Sequence, residues 1–561
     1  MNIRNVGHHQ LNALLGTEGE QLLIPAYQRR YSWSKKNWED LLNDLSKLKN
    51  GDKHFFGSVV FVAGTHVGQG TNPLEIVDGQ QRITTISILL CAIRDYFKNQ
   101  NKKELNKSIE SIDKYLWVMD FDGNKKDTKL ILGNLDNESY KKLVNSDIQG
   151  IKNIKIRDAY NFFLEYLGNQ EIEGVKKLRD KILKEIIYVN VTVEGDKDAY
   201  HLFETMNNRG LPLNPVDLIK NYLFMISSEN ENLNPEKIKE IWTEIIKNLD
   251  GLSEITFFRQ YLMSSKLIGI NQKVTENQLY LEFKKRISKS EDLESLLKDI
   301  RDKSKLYNAL LNHKIDLFDK GRNIEINSIL EDVKKVSITS FTLLLRAFSE
   351  LDDPKKLIEI MEICNTLLVR RNICRWTTGT HDTLFNHLAQ ISFDQGNPLK
   401  YIKDYLKDGT DRYPDDDQFF SNFFKYEFEE NDRTRYYLGV IEEKHFCNGG
   451  HKVNKSGYGV HIEHILPLMP CKSLNEIWLI PLKISEEDHK HYRKRVGNLT
   501  LLEAGENIPA SNKNFGEKKG YYKKSDIKMT EELLRYNSWN LKEIEKRSKQ
   551  LAEIAIRVWS F

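Results

Sequence analysis

The sequence predicts an α+β protein of several domains, and three observations lead there. The chain has 561 residues, more than one hydrophobic core ordinarily serves, so two or three domains are expected. Strand-like and helix-like stretches alternate to about Ser228, after which the pattern turns almost wholly helical to about Gly409. A mixed texture then returns, with a glycine-rich loop, a histidine-containing segment and a long amphipathic end. The expected divisions are therefore 1–228, 229–409 and 410–561.

In the first region, FFGSVVFVAG and PLEIVDG are rich in branched and aromatic residues and flank the polar loop THVGQGTN, which reads as two joined strands. IIYVNVTV reads as another strand, and HLFETMNNRGLPLNPVDLIKNYLFMI as two helical pieces around an Asn-Arg-Gly turn. In the second region, apolar residues recur at helical spacing through IKEIWTEIIKNL, LYLEFKKRI, SITSFTLLLRAF and KKLIEIMEICNTLLV. No fixed period links these segments, so an irregular helical domain is expected rather than a solenoid. The third region opens after DGTDRYPDDDQ and runs through NGGHKVNKSGYG, HIEHILP and HKHYRKRVGNLTLL to a closing helix, IEKRSKQLAEIAIRVW.

Bulk properties exclude several classes. Charged residues make up 29% and hydrophobic ones 40%, a balance that supports folding rather than disorder. A net charge of +3 does not by itself demand a nucleic-acid partner. The five cysteines form no CxxC pair, which argues against a disulfide framework or a thiolate zinc cage. Cys447, His451 and Cys471 remain an incomplete zinc alternative. The longest apolar run, near ISILLCAI, is too short to span a bilayer, so no membrane partner and a cytoplasmic location are expected.

Asp78 to Arg82, DGQQR, occupies the joint between an expected strand and an expected helix. Such a joint presents free backbone N–H groups at the positive end of the helix, which suits an anion. Gly79 permits close backbone approach, and Arg82 can grip phosphate oxygens with a planar fork. Asp78 can orient a water or a cation, while Gln80 and Gln81 add hydrogen bonds without charge. The same residues also serve many strand–helix turns merely as caps. No GxxxxGK[ST] loop is present, so any nucleotide would sit in a different cradle.

The sharpest motif is HIEHILPLMP, with Glu463, His464 and Pro467, followed by VGNLTLLEAGENIPASNKNFGEKK with Asn498, Asn507 and Asn512. This ordered set resembles the HNH nuclease family, and in particular the C-terminal domain of GmrSD-type modification-dependent restriction enzymes. The resemblance implies a ββα-metal fold. It makes His464 the general base, Glu463 and Asn507 the ligands of Mg²⁺ or Mn²⁺, and Asn498 the residue that fastens the loop. His461 and Asn512 are implied supports, and Asn512 is an alternative to Asn507. Many members carry aspartate where Glu463 stands and histidine at the last metal position. Around the motif, Arg493, Lys494 and Arg495, then Lys518 and Lys519, with Tyr521 and Tyr522 interleaved, suggest a track for a DNA backbone.

IPAYQRRYSW, HFFGSVVF, IVDGQQRITT and FETMNNRGLPLNPVDLIK, in that order, resemble the N-terminal half of the same family from about Leu23 to Leu223. That half is similar to the ParB and sulfiredoxin nucleotide-binding fold. The resemblance implies nucleoside triphosphate binding and hydrolysis centred on Asp78, Gln81 and Arg82, with Arg29, Asn207, Arg209, Asp217 and Lys220 around the same cleft. Tyr27, Tyr31, Trp33 and Trp38 beside Arg29 and Arg30 suit either stacking on DNA or a place in the core; Tyr31, Trp33 and Arg30 are taken as candidate DNA contacts. The whole chain is expected to be a nucleotide-regulated endonuclease acting on modified phage DNA. The alternatives are a nucleotide-controlled DNA-binding protein with a degenerate nuclease domain and a nuclease acting on RNA. Self-association is left open.

Overall fold

A computed structural model describes residues 3–49, 51–63, 71–120, 122–193, 214–230, 232–287, 293–409, 411–447, 459–468 and 475–561. The chain forms two compact units, Met1–Phe258 with Glu276–Lys305, and Arg259–Thr275 with Leu306–Phe561. The helical stretch expected at 229–409 is divided between them. Aromatic packing explains the first share: Trp242 stacks on Phe258 and meets Phe224 edge-on, and Tyr222 meets Tyr280 edge-on.

In the first unit the strands are β1 (Ile3–Gln10), β2 (Glu20–Leu23), β3 (His54–Ala63), β4 (Asn72–Asp78), β5 (Trp117–Met119), β6 (Lys125–Thr128), β7 (Leu130–Ile131) and β8 (Ile186–Val193). Six of them form a mixed sheet in the order β1-β8-β3-β4-β2-β7, while β5 and β6 make a separate pair. The strands read from FFGSVVFVAG and PLEIVDG are β3 and β4, and they pair antiparallel. Their loop, 64–70, lies outside the described residues.

Immediately after β4 comes the helix Gln80–Asn99, in which every residue from Gln80 to Phe97 except Arg82 is buried. A helix apolar on all sides has to be surrounded. Here Ile83, Ile86, Leu89, Leu90 and Ile93 join one core with Ile76 of β4 and with Ile156, Phe163 and Leu167 of the helix Ile154–Gly168. The strand–helix joint is therefore held from both sides, which fixes the position of DGQQR. The expected second helical piece is Pro215–Glu229, capped by Asn214, whose side chain accepts from Val216 N. The first piece, with Asn207 and Arg209, lies outside the described residues.

In the second unit, β9 (Val460–His464) and β10 (Leu499–Glu503) pair antiparallel, with Thr500 opposite Glu463 and Leu499 opposite His464. Helices Ala504–Ala510 and Phe515–Tyr522 follow, and Ile465, Leu466, Leu502, Phe515, Tyr522, Trp539 and Ile544 close the core beneath them. Gly497 explains part of GNLTLL. A Cβ there would lie 2.1 Å from the Ile544 carbonyl, where the backbone abuts the closing helix Leu541–Val558. Ser548 Oγ accepts from Gly497 N at 3.0 Å, and Arg547 Nη1 donates to the Gly497 and Leu499 carbonyls at 2.7 Å each. Among the described residues no helix is long and apolar enough to cross a membrane.

Candidate functional site

Two constellations of chemistry-bearing side chains stand out, one in each unit. At the first, Gly79 is the N-cap of the helix Gln80–Asn99 with φ of 96°, a conformation that favours glycine. Its α-carbon faces Val59, whose methyls would lie 3.0 and 3.1 Å from any Cβ. Asp78 precedes it on β4, and burial raises its carboxyl above the ordinary value against the opposing pull of Arg82. Arg29 Nε lies 3.1 Å from Asp217 Oδ2, and Lys220 Nζ lies 3.7 Å from Asp217 Oδ1. Lys220 is buried, so desolvation lowers its pKa; its ammonium also donates to Gln28 and sits over the Tyr27 ring. Asp78, Arg82, Arg29, Asp217 and Lys220 thus lie near one another.

Arg82 and Gln81 have turned to other tasks. Arg82 Nη1 donates to Phe56 O at 2.5 Å and Nη2 to Ser58 O at 2.7 Å, with Asp78 Oδ2 at 3.4 Å. These carbonyls flank Gly57, at an irregularity in β3, and a Cβ on Gly57 would lie 1.9 Å from Arg82 Nη1. The guanidinium is therefore a structural clamp with part of its donor set left over, rather than a free fork. Gln81 Oε1 accepts from Ser32 N at 2.8 Å while its Nε2 donates to Arg30 O at 3.1 Å, which ties the turn to the QRRYS loop. Gln80 is buried, and its Oε1 has no hydrogen-bond partner among the described residues.

The clamp changes what an Arg82 substitution should do. Arg82→Ala is expected to destabilise the unit by about 1.5–3 kcal/mol, since two carbonyls lose charged donors, and to abolish any nucleotide hydrolysis that depends on the turn. A denaturant titration beside a phosphate-release assay checks both; an unchanged midpoint would mean that the clamp contributes nothing.

The aromatic candidates fall on the core side of the alternative. Tyr31 is 4% exposed, with its hydroxyl 2.8 Å from Thr85 Oγ1 and accepting from Trp38 Nε1 at 2.8 Å. It is corrected from DNA contact to core residue, because a ring this deeply buried offers no face to a base. Trp33 packs half-buried against the same core. Arg30 donates to Asp136 Oδ1 at 2.7 Å and also to Asp250, so its charge is paired within the unit.

At the second constellation, Glu463 is 4% exposed and carries the contacts. Its Oε1 accepts from Lys518 Nζ at 2.7 Å and from Tyr522 OH at 2.9 Å, and its Oε2 from Asn507 Nδ2 at 3.3 Å. Lys518 also donates to the His464 carbonyl at 2.8 Å. His464 follows on the strand, and burial, then the charges of Lys518, Arg493 and Lys494, lower its pKa to about 3. It is therefore neutral near pH 7, the form that accepts a proton.

Asn498 is wholly buried and gathers the turn after β9. Its Oδ1 accepts from Leu466 N at 2.7 Å and from Trp539 Nε1 at 3.1 Å, and its Nδ2 donates to the Leu466 and Arg493 carbonyls at 2.8 and 3.0 Å. That is the arrangement a loop-fastening residue requires. His489 Nε2 lies 2.7 Å from Pro467 O and holds the same turn from another side. His461 is half-buried on β9, two residues before Glu463, and Asn512 lies in the turn between the two short helices.

The donors present fit a hard divalent cation that keeps much of its water. A half-turn of the Asn507 amide would set its oxygen beside Glu463 Oε2, giving two adjacent oxygen donors next to His464. Among the described residues no cluster of three or more His, Cys, Asp or Glu could enclose an ion, so a closed cage of the structural-zinc kind is not built there. Cys447 donates to Glu442 Oε1 at 3.2 Å, and its expected companions His451 and Cys471 lie outside the described residues.

The basic run is mostly committed internally. Lys518 is wholly buried and belongs to the Glu463 site, a correction to its reading as a DNA contact. Lys519 donates to Tyr536 O at 2.7 Å and Arg493 to Leu468 O at 2.6 Å. Lys494 pairs with Glu429 at 2.7 Å, and Arg495 donates to Phe424 O at 3.1 Å. Sequence reasoning also missed Tyr522 as a partner of Glu463. Its signal was the helical spacing of Phe515, Lys518 and Tyr522, which puts all three on one buried face.

Comparison with known proteins agrees with both halves. The GmrSD restriction endonuclease N-terminal domain matches residues 11–224, and the GmrSD restriction endonuclease C-terminal domain matches residues 413–554. No curated protein matches the chain. With a matched domain at each constellation, the chain belongs to the GmrSD restriction endonuclease family.

Proposed function

We propose that this protein is a modification-dependent DNA endonuclease of anti-phage defence, in which the first unit binds and hydrolyses a nucleoside triphosphate and the second cuts DNA by a one-metal HNH-type mechanism. The observation that carries the reading is the buried Glu463, next to His464 on one strand, whose carboxylate accepts from Lys518, Tyr522 and Asn507. When bound, Mg²⁺ or Mn²⁺ supplies charge neutralisation at the phosphate and stabilises the departing oxygen.

The residues do the rest. His464 accepts a proton from the attacking water at a ring nitrogen. The incoming phosphate's negative charge favours the imidazolium that results, offsetting the neighbouring cations that hold the free histidine neutral. Lys518 and Tyr522 fix Glu463 Oε1, so that only Oε2 faces Asn507. Asn498 keeps the turn after His464 in place while the chemistry proceeds.

In the first unit, the Gly79 turn offers backbone N–H groups to a phosphate, and Arg29 and Lys220 supply positive charge next to Asp217. Asn207 and Arg209 are proposed to join them. Hydrolysis there would regulate the nuclease, since an ungated phosphodiesterase would damage host DNA.

The test incubates the whole protein with modified phage DNA and with plain DNA, with Mg²⁺, with and without ATP or GTP. Cleavage of the modified DNA alone, altered by nucleotide, is the expected outcome. Cleavage of neither DNA, with nucleotide hydrolysis intact, would sink the nuclease reading and leave a regulatory DNA-binding protein.

A further inference from the structure

Glu254 was not singled out by any motif, yet it lines a cleft with Arg29 of the first constellation. It is the first residue of the helix Glu254–Ser264 and is half-buried. It lines a cleft of about 610 Å³ together with Arg29, Lys152, Lys155, Leu249 and Leu252. That volume falls within the roughly 300–1,000 Å³ of small-molecule sites, and a lining of aliphatic side chains with cationic edges suits a flat heterocycle joined to an anion.

Arg29 connects the cleft to the first constellation, since it lines the cleft and its Nε lies 3.1 Å from Asp217 Oδ2. Asp217, Arg29 and Lys220 are the charged groups that act on Glu254, and Asp250, Lys152 and Lys155 face the same cleft. Among the described residues only burial and these charges act on the Glu254 carboxylate, and no hydrogen bond satisfies it. Burial first, then Asp217, push its carboxyl up to about 7, with Arg29 and Lys220 opposing. The half-buried Glu254 faces this cleft beside Arg29, where water in the cleft reaches its carboxylate. It is well suited to move a proton near neutral pH.

We propose that Glu254 is a catalytic residue of nucleotide hydrolysis, the base that takes the proton from the water attacking the terminal phosphate of a nucleoside triphosphate seated in this cleft. The water oxygen bonds to the terminal phosphorus, and the bond from that phosphorus to the bridging oxygen breaks. The electron pair leaves with the nucleoside diphosphate, and the water's proton passes to the Glu254 carboxylate. Arg29 and Lys220 offset charge on the transferring group. The inference rests on the nucleotide reading of the Asp78 turn and adds to it the residue that activates water.

The test compares wild type, Glu254→Gln, Glu254→Asp and Asp78→Asn as full chains, using phosphate release from ATP and GTP across about two pH units either side of neutrality, binding of a fluorescent ATP or GTP analogue, and melting temperature. Glu254→Gln is expected to lower kcat by about 10²–10⁴-fold. Its nucleotide Kd should stay within about threefold, which separates chemistry from binding. The wild-type rate should rise with pH through an inflection near 7, where the base loses its proton, and this inflection should vanish in Glu254→Gln while Glu254→Asp keeps part of the rate. A wild-type rate in Glu254→Gln, with Asp78→Asn inactive, would overturn the inference alone. So would a lost rate explained by lost binding or a collapsed melting temperature. If the wild type hydrolyses neither nucleotide, the reading of the turn fails and takes this inference with it.

Discussion

His464→Ala is expected to lose Mg²⁺-dependent DNA cleavage by about 10²–10⁴-fold, the range a general base contributes. The loss should fall on the chemical step, because the ring is buried next to Glu463 and no phosphate-gripping role is available to it. Binding of catalytically silent DNA, measured by fluorescence anisotropy, should be unchanged. The variant should melt below wild type but still fold cooperatively, because removing the buried ring leaves a cavity while the backbone pairing of His464 with Leu499 is kept. Cutting at the wild-type rate would remove His464 from the mechanism and with it the assignment of the second unit as the nuclease.

Lys518→Met carries the largest expected effect on stability. The lysine is wholly buried, and its ammonium is the only cation with an ion pair to Glu463 among the described residues. Removing one partner of such a pair strands the other charge in a dry site, at a cost of about 3–5 kcal/mol. Cleavage should fail as well, since Glu463 would no longer be held on Oε1. Adding Glu463→Gln to Lys518→Met should recover much of the stability and none of the cutting, because a neutral amide does not need the missing charge. Denaturant midpoints for the two single variants and the double variant decide it. Additive losses would show that the two side chains are not coupled.

The parts of this architecture that sequence made legible share a cause. β3, β4 and β8 carry β-branched runs bounded by polar loops, and the helix Gln80–Asn99 follows a glycine at a strand end. Local patterns of that kind survive folding because the same side chains form both the pattern and the core. Asn498 and the Glu463–His464 pair were singled out because HIEHILP and GNLTLL stand in the order that resembles the family's C-terminal domain, and the structure buries all three side chains. Lys518 was misread because neighbouring lysines look alike in sequence, and only the turn of the helix decides that Lys518 faces Glu463 while Lys519 reaches Tyr536. Tyr31 was ambiguous for a similar reason: its hydroxyl finds Thr85 and Trp38 only after the loop has closed on the helix. Glu254 carried no local signal, because its neighbours Arg29, Asp217 and Lys220 come from distant stretches of chain. The division of the helical middle was equally hidden, since an amphipathic stripe announces that a helix packs without naming its partner.

Gln81 has a quieter consequence. A primary amide offers one donating and one accepting edge, and here each edge is matched to a main-chain group of the QRRYS segment, an N–H at Ser32 and a carbonyl at Arg30. Glutamate would set a negative oxygen against that carbonyl, and leucine would leave both groups dry and unanswered. Two stretches that look independent on paper therefore behave as a single mechanical part: tilting the Gly79 turn by a fraction of an ångström drags the distant segment with it.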